Sequence, residues 1–149
     1  MRTVVQRVSS AQVASEGKIT GTIEKGLVVF IGVEQGDEQK DIDYTVEKIS
    51  GLRIFEDEDE KMNLSVMDVG GKILAVSQFT LLGDVRKGKR PSFSNAEKPE
   101  LANEIYRKVI SGLKEKDLVV EEGVFQTDML VQINNDGPVT ILLDSRKSF

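Results

Sequence analysis

No cysteine and no histidine occur among the 149 residues. The first absence excludes disulfides, thiolate nucleophiles and the Cys-containing structural zinc sites, and it suits a reducing compartment. The second excludes Ser-His-Asp and Cys-His catalysis, His-ligated metals and the ordinary neutral-pH proton shuttle. Any hydrolysis here needs another base, or a substrate that carries its own reactive group. No apolar run approaches the roughly 20 residues that span a bilayer. Met1 to Val8 lacks the apolar core of a signal peptide. The expectation is a soluble, cytoplasmic protein with no membrane partner and no metal or other cofactor. Lysine and arginine number 20 against 25 acidic residues, a net charge of −5. That balance disfavours a surface that coats nucleic acid but leaves room for a local basic patch.

The length suits one domain, residues 1–149, with a core large enough to need no staples. Residues 1–33 read as strands. Gly17 marks a turn, Lys18 to Glu24 alternates with period two, and Leu27-Val28-Val29-Phe30-Ile31 is a continuous apolar run, expected to be buried on both faces. A helix follows, with Asp37 as its expected N-cap, no capping box, a stripe of Ile42, Val46 and Ile49, Tyr44 off that stripe and Gly51 at its end. Glu56-Asp57-Glu58-Asp59-Glu60 lacks the central glycine and the twelfth-position glutamate of an EF-hand and is expected to be a solvated turn. Ile73-Leu74-Ala75-Val76 is a further buried strand. Pro99 opens a second helix whose stripe is Leu101, Ala102, Ile105, Tyr106, Val109, Ile110 and Leu113. Leu118 to Gly123 reads as a strand, and two more apolar runs close the chain. Strands, helix, strand, helix, strands predict one α/β domain of layered sheets with both helices on one side.

Two stretches carry chemistry. Asn135-Asp136-Gly137-Pro138-Val139-Thr140 separates the runs Met129–Ile133 and Val139–Leu143. Glycine reaches backbone angles closed to other residues, and proline fixes φ and has no N–H. The stretch is therefore either a hairpin turn or a stiff loop whose backbone is itself the functional group. Ser77-Gln78-Phe79-Thr80 leaves the end of a buried strand, where ligands and catalytic groups often sit. Arg86-Lys87-Gly88-Lys89-Arg90, with Phe93 nearby, holds four cations in five residues and is either a solvated loop or a phosphate contact. Arg7 is either a solvated strand arginine or a buried one that orients backbone carbonyls. Phe125 and Met129 read as core residues ahead of ligand contacts.

With both motifs intact, in order and in matching context over nearly the whole chain, the sequence resembles the D-aminoacyl-tRNA deacylases. The matching stretches include Val4–Val8, Leu52–Asp57, Ser77–Leu81, Lys87–Phe93 and Asn135–Thr140. The resemblance implies a three-layer sandwich of two β-sheets with helices on one side, in a homodimer. It implies a cis Gly137-Pro138 peptide that reaches across the dimer beside the partner's Ser77, Gln78, Phe79 and Thr80. It implies hydrolysis of the ester of D-aminoacyl-tRNA, with L-substrates rejected by the carbonyls of Gly137 and Pro138. Catalysis would be assisted by the ribose 2′-OH of the terminal adenosine, with backbone N–H groups of Phe79 and Thr80 as the oxyanion site. Glycyl-tRNA, with no side chain to clash, is an expected side substrate. Phe79, Phe125 and Met129 would line the adenine pocket. Two alternatives remain beside this reading: a small esterase with a Thr or Ser nucleophile, and an RNA-end binding module without catalysis.

Overall fold

A computed structural model describes residues 1–149, and its organising strand is β1 (Arg2–Ser15). One side of β1 is shared between two neighbours. Residues Arg2 to Val8 pair with β3 (Gly26–Gly32), and Ala11 to Ser15 pair with β2 (Lys18–Ile23), both antiparallel. The β1–β2 turn uses Glu16 and Gly17 at φ of 51° and 80°, the positive pair that matches the twist of a two-residue hairpin. β3 continues in parallel to β6 (Lys72–Ser77), and β6 in parallel to β7 (Val120–Glu122). Between them, β4 (Phe55–Glu56) and β5 (Met62–Leu64) form a small hairpin whose tip is the acidic run. The other side of β1 is covered end to end by β8 (Met129–Asp144).

The alternation of side chains builds two cores. Leu27, Val29, Ile31, Ile73 and Ala75 face the helices α1 (Gln39–Gly51) and α2 (Pro99–Glu115), while Val28 and Leu74 face Val8, Ala11, Val13 and Ile23 on the opposite side. Burial of β3 on both faces follows the apolar run seen in the sequence. The layers are therefore helices, a central sheet half and a second sheet half. The two halves belong to one six-stranded ladder that folds over on itself, because β1 and β8 run through both. Thr20 Oγ1 donates to the Glu122 carbonyl at 3.1 Å where β2 closes over β7.

The helices follow their stripes with one correction: Leu101, in the first turn of α2, is exposed, because the helix is buried against the core only from its second turn onward. Ile105, Tyr106, Val109, Ile110 and Leu113 are buried, each such side chain contributing about 1.5–3 kcal/mol. The helices cross at Gly112, where a Cβ would meet Val46 Cγ2 at 2.8 Å. Pro99 stands in the first turn as expected, and Tyr44 is half-buried. The N-cap of α1 is a correction: it is Glu38, whose N–H donates to Asp41 Oδ2 at 2.8 Å in a capping-box arrangement. Asp37 is instead drawn into a buried charge cluster. It accepts from the Met1 ammonium at 2.9 Å, the Glu34 N–H at 2.8 Å and Arg146 at 3.0 Å. A carboxylate with those three donors gains more there than at a helix end.

The same cluster sets the acid limit of the fold. Burial pushes the Asp41 and Asp144 carboxyls up. Hydrogen bonds outweigh it and hold both below the ordinary value: from Ser145 and the Glu38 N–H to Asp41, and from Arg146 and Ser148 to Asp144. A carboxylate lowered in the folded state stabilises the fold above its unfolded pKa of about 4 and loses that contribution as pH falls through the folded value. The melting temperature is therefore expected to hold from pH 7 to about 5 and to fall below about 4. Asp41→Asn should flatten that acid limb. Thermal melts across this range check it, and a melting temperature that rises below pH 4 would contradict it.

Candidate active site

The Gly-Pro stretch is not a hairpin turn. β8 passes through it without reversing, and both halves pair with the same strand, Asn135 opposite Val8 and Thr140 opposite Gln6. Residues 136 to 139 thus bulge out opposite Arg7 alone. Gly137-Pro138 is cis, and Gly137 sits at φ 123°, the left-handed region that favours glycine. Asp136, Gly137 and Pro138 are exposed at the tip, and Val139 is buried at the base.

Side chains beneath the bulge fix its shape. Arg7 is 6% exposed, which decides between its two readings. Its Nε donates to the Asp136 carbonyl at 3.2 Å and its Nη1 to the Ile54 carbonyl at 2.8 Å, with the Asp136 carboxylate 3.6 Å away. Asn135 Nδ2 donates to the Arg7 carbonyl at 2.9 Å and the Val139 carbonyl at 3.0 Å, spanning the loop. Thr140 Oγ1 lies 3.4 Å from Asn135 Oδ1 and accepts from Gln6 at 3.1 Å. None of these side chains takes the carbonyls of Gly137 or Pro138. The bracing role of Asn135 was not visible in the sequence. Its place at the first position of the motif was the available signal.

The second motif also lies where its sequence pointed. Ser77 ends β6, Gln78 donates its N–H to the Ile31 carbonyl at 2.8 Å, and Phe79–Leu82 is a 3₁₀ turn. Ser77 and Gln78 are half-buried and Thr80 is exposed. The Gln78 amide and the Thr80 hydroxyl are hydrogen-bonded to each other. No histidine or carboxylate bonds to Thr80, so nothing in this chain is placed to make its hydroxyl a strong nucleophile. Arg2 supports the turn by donating to the Leu81 carbonyl at 3.3 Å. The Phe79 ring is 57% exposed and meets Phe93 edge-on, centroids 5.2 Å apart at 74°.

Phe125 and Met129 lie on the chain that leaves β7, the strand paired with β6. Gly123 N–H and the Tyr106 hydroxyl both donate to the Ala75 carbonyl, at 3.1 and 3.3 Å, which holds the start of the chain after β7 against β6. Phe125 packs on Tyr106, centroids 6.3 Å apart, and Met129 lays its sulfur over Gly123. Both are half-buried. Burial, with Glu122 nearby, pushes the Tyr106 phenol well above its usual range, so it stays a hydrogen-bond donor.

Within one chain the two motifs stand apart. Ser77 pairs with Ile31, which pairs with Thr3, while the bulge faces Arg7 at the other end of that ladder. Four residues along β1 and three strand spacings across it separate them by on the order of 15–20 Å. The chain holds a stiff backbone loop at one place and a polar turn at another.

Residues 4–144 match a family model described as D-Tyr-tRNA(Tyr) deacylase. Over 149 residues, and the full length of both chains, the sequence is 63% identical to the D-aminoacyl-tRNA deacylase of Koribacter versatilis and 57% identical to that of Clostridioides difficile. Among solved structures, one described as c-Myc DNA Unwinding Element Binding Protein superposes with a TM-score of 0.91 at 42% identity, covering 97% of this chain and 98% of that one. A probable eukaryotic D-amino acid tRNA deacylase gives 0.77 at 16% identity, over 95% and 97% of the two chains, and shares the fold.

Proposed function

Because this chain belongs to the D-Tyr-tRNA deacylase family, we propose that it hydrolyses the ester joining a D-amino acid to the terminal adenosine of tRNA, releasing free D-amino acid and tRNA. Residues 1–149 form the one deacylase domain. The observation that carries the reading at the level of chemistry is the braced bulge at Gly137-Pro138, whose exposed tip is backbone and whose bracing side chains lie behind it. D- and L-residues exchange hydrogen and side chain at one carbon. A fixed carbonyl where the L side chain would project rejects every L-residue by the same clash, whatever its size. A side-chain gate would depend on size.

The working site is cross-subunit, in a homodimer. The separation of the two motifs within one chain supports this, since neither alone can both gate and process an ester. The long outer edge of β8, paired on one side only and carrying exposed Leu130 and Leu142, is the surface where a second copy would bring its bulge to the Ser77–Thr80 turn.

In that pocket the terminal adenine lies against Phe125 and Met129, without the Phe79 ring, which stands exposed beside the turn, and the ester carbonyl faces the N–H groups of Phe79 and Thr80. Water adds to the carbonyl. The oxyanion that forms is held by those two N–H groups, the bond to the ribose 3′-oxygen breaks, and the proton ends on that oxygen. The 2′-OH, next to the leaving oxygen, relays it. Ser77, Gln78 and the Thr80 hydroxyl position the substrate. The site is in the cytoplasm, with charged tRNA as its partner, and Lys87, Lys89 and Arg90 contact its phosphates.

The test is hydrolysis of D-tyrosyl-, L-tyrosyl- and glycyl-tRNA by purified protein. Rapid loss of the D-ester, an intact L-ester and measurable loss of the glycyl ester are expected. Equal loss of the D- and L-esters would leave a general esterase, and loss of none would leave an RNA-end binding module. A glycyl ester untouched at protein levels that clear the D-ester would count against purely steric exclusion.

A further inference from the structure

Two aromatic rings stand exposed on the surface beside the Ser77–Thr80 turn, and a cationic hairpin is built onto them. Asp84 and Ser92 exchange both backbone hydrogen bonds, at 2.8 and 2.9 Å, and so close residues 84–92 into a hairpin. Its strands leave from the two rings: Phe79 opens the 3₁₀ turn that runs into Asp84, and Phe93 follows Ser92. The rings touch at 5.2 Å while remaining 57% and 38% exposed. Gly83 lies against Phe93, where a Cβ would meet Cε1 at 3.1 Å, so the Phe93 ring is seated on the backbone beside it.

The charges of the hairpin are not equivalent. Asp84 holds Arg86 through two contacts, Nε to Oδ1 at 3.0 Å and Nη2 to Oδ2 at 2.8 Å, and Arg86 holds the Asp84 carboxyl down to about 2. Arg86 is thereby neutralised within the loop. Lys87, Lys89 and Arg90 are exposed and enter no ion pair. The chain carries a net charge of −5. Three unpaired cations beside two exposed rings are a local exception to it, and the combination of stacking surface and backbone-neutralising charge is how single-stranded nucleic acid is held without base pairing.

We infer that the Phe79–Phe93 pair is a nucleobase subsite that stacks the nucleotide preceding the terminal adenosine, while Lys87, Lys89 and Arg90 neutralise its phosphate. The inference rests on the deacylase reading, and it adds a second base contact to it. The spacing supports it. Phe79 and Thr80 are consecutive, with Cα atoms about 3.8 Å apart. An ester held at their N–H groups therefore brings the 3′ end of the tRNA to the residue that carries the exposed Phe79 ring. The penultimate nucleotide is unpaired in a tRNA, so its face is free. Stacking also explains why two phenyl rings are left in water at this point rather than folded into the core.

The experiment is a double-mutant cycle on binding of uncharged tRNA. Phe93→Ala and Phe93→Leu are each paired with a tRNA that is abasic at the penultimate position, with Kd read at one fixed salt concentration. Either change alone should weaken binding roughly tenfold. The two together should weaken it no further than either alone. Phe93→Trp should bind at least as tightly as the unaltered chain. Additive effects, or an unmoved Kd in both Phe93 variants, would overturn the subsite. So would a change in sedimentation that tracks the affinity loss, since a second copy would then be what covers the rings. Melting temperatures of the variants identify any that fail to fold, and Phe93→Trp then carries the test. Because the readout is uncharged tRNA, a failure of ester hydrolysis by the unaltered chain would count against the deacylase reading and leave this cycle interpretable.

Discussion

Replacing Gly137 by alanine should cost about a hundredfold in kcat/KM for D-aminoacyl-tRNA and should bring the D- and L-rates to within roughly tenfold of each other. Gly137 holds φ at 123°, where a side chain is strained whatever space it has. Space is also missing. A Cβ there would lie 2.8 Å from Val139 Cγ2 and 2.9 Å from an Arg7 terminal nitrogen. Arg7 cannot yield freely, because it is buried and already committed to the carbonyls of Asp136 and Ile54. Val139 is buried at the base of the bulge. The backbone must therefore turn, and the carbonyls of residues 137 and 138 turn with it. A misplacement of about 1 Å at a positioning group typically costs that hundredfold. The loss in stability should be roughly 1–3 kcal/mol, small enough for the variant to fold. Single-turnover hydrolysis of D- and L-tyrosyl-tRNA by the variant measures both effects. Full rate with full discrimination would show that the gate lies elsewhere.

A D-aminoacyl ester on the 3′-oxygen of a tRNA ending in 2′-deoxyadenosine should be cleaved at least about a thousandfold more slowly than its ribose counterpart, in line with the loss of a positioned acid–base group. The reason is the shortage of such groups in the protein. There is no histidine or cysteine in the chain, and the Thr80 hydroxyl is bonded to the Gln78 amide. Backbone N–H groups can stabilise an oxyanion but cannot move a proton to the leaving oxygen. Thr80→Ala, by the same argument, should keep most of the rate on the ordinary substrate, with a loss within about tenfold for the positioning contact alone. The two measurements are complementary. Full activity on the deoxy substrate together with an inactive Thr80→Ala variant would make Thr80 the nucleophile and the protein a threonine esterase.

How much of this was legible in the sequence differs by element. β3 and α2 were plain, because a run of apolar residues and a helical stripe each specify their own burial. The path of β8 was not. Two apolar runs around a Gly-Pro pair look the same whether the strand reverses or bulges, since the difference lies in which distant strand each half pairs with. Arg7 was ambiguous for the same reason: its burial is created by the bulge and by Ile54, more than forty positions away in the chain. The N-cap of α1 went from Asp37 to Glu38 because the charge cluster around Met1 and Arg146 competes for Asp37, and that cluster forms only when the two ends of the chain meet. The exposed contact between Phe79 and Phe93 had only a weak signal, an aromatic close to the cationic run. Both functional motifs were nevertheless found, because they are local in sequence even though one chain holds them far apart.

The pairing on either side of the bulge also fixes where a change in its length must go. Before it, Met129, Val131, Ile133 and Asn135 are the half-buried residues of β8. After it, Val139 and Leu143 are buried and Ile141 is half-buried. Odd-numbered positions face inward on both sides, so the loop between them preserves the phase of the strand. A residue added or removed between Asn135 and Thr140 cannot be taken up by sliding the strand, since a one-residue slip against β1 would put Val139 and Leu143 in water and Thr140 and Leu142 into the core. The bulge itself must absorb the change while Thr140 stays opposite Gln6. Loop length is therefore free to set how far the carbonyls of residues 137 and 138 reach, with the strand on either side left in place.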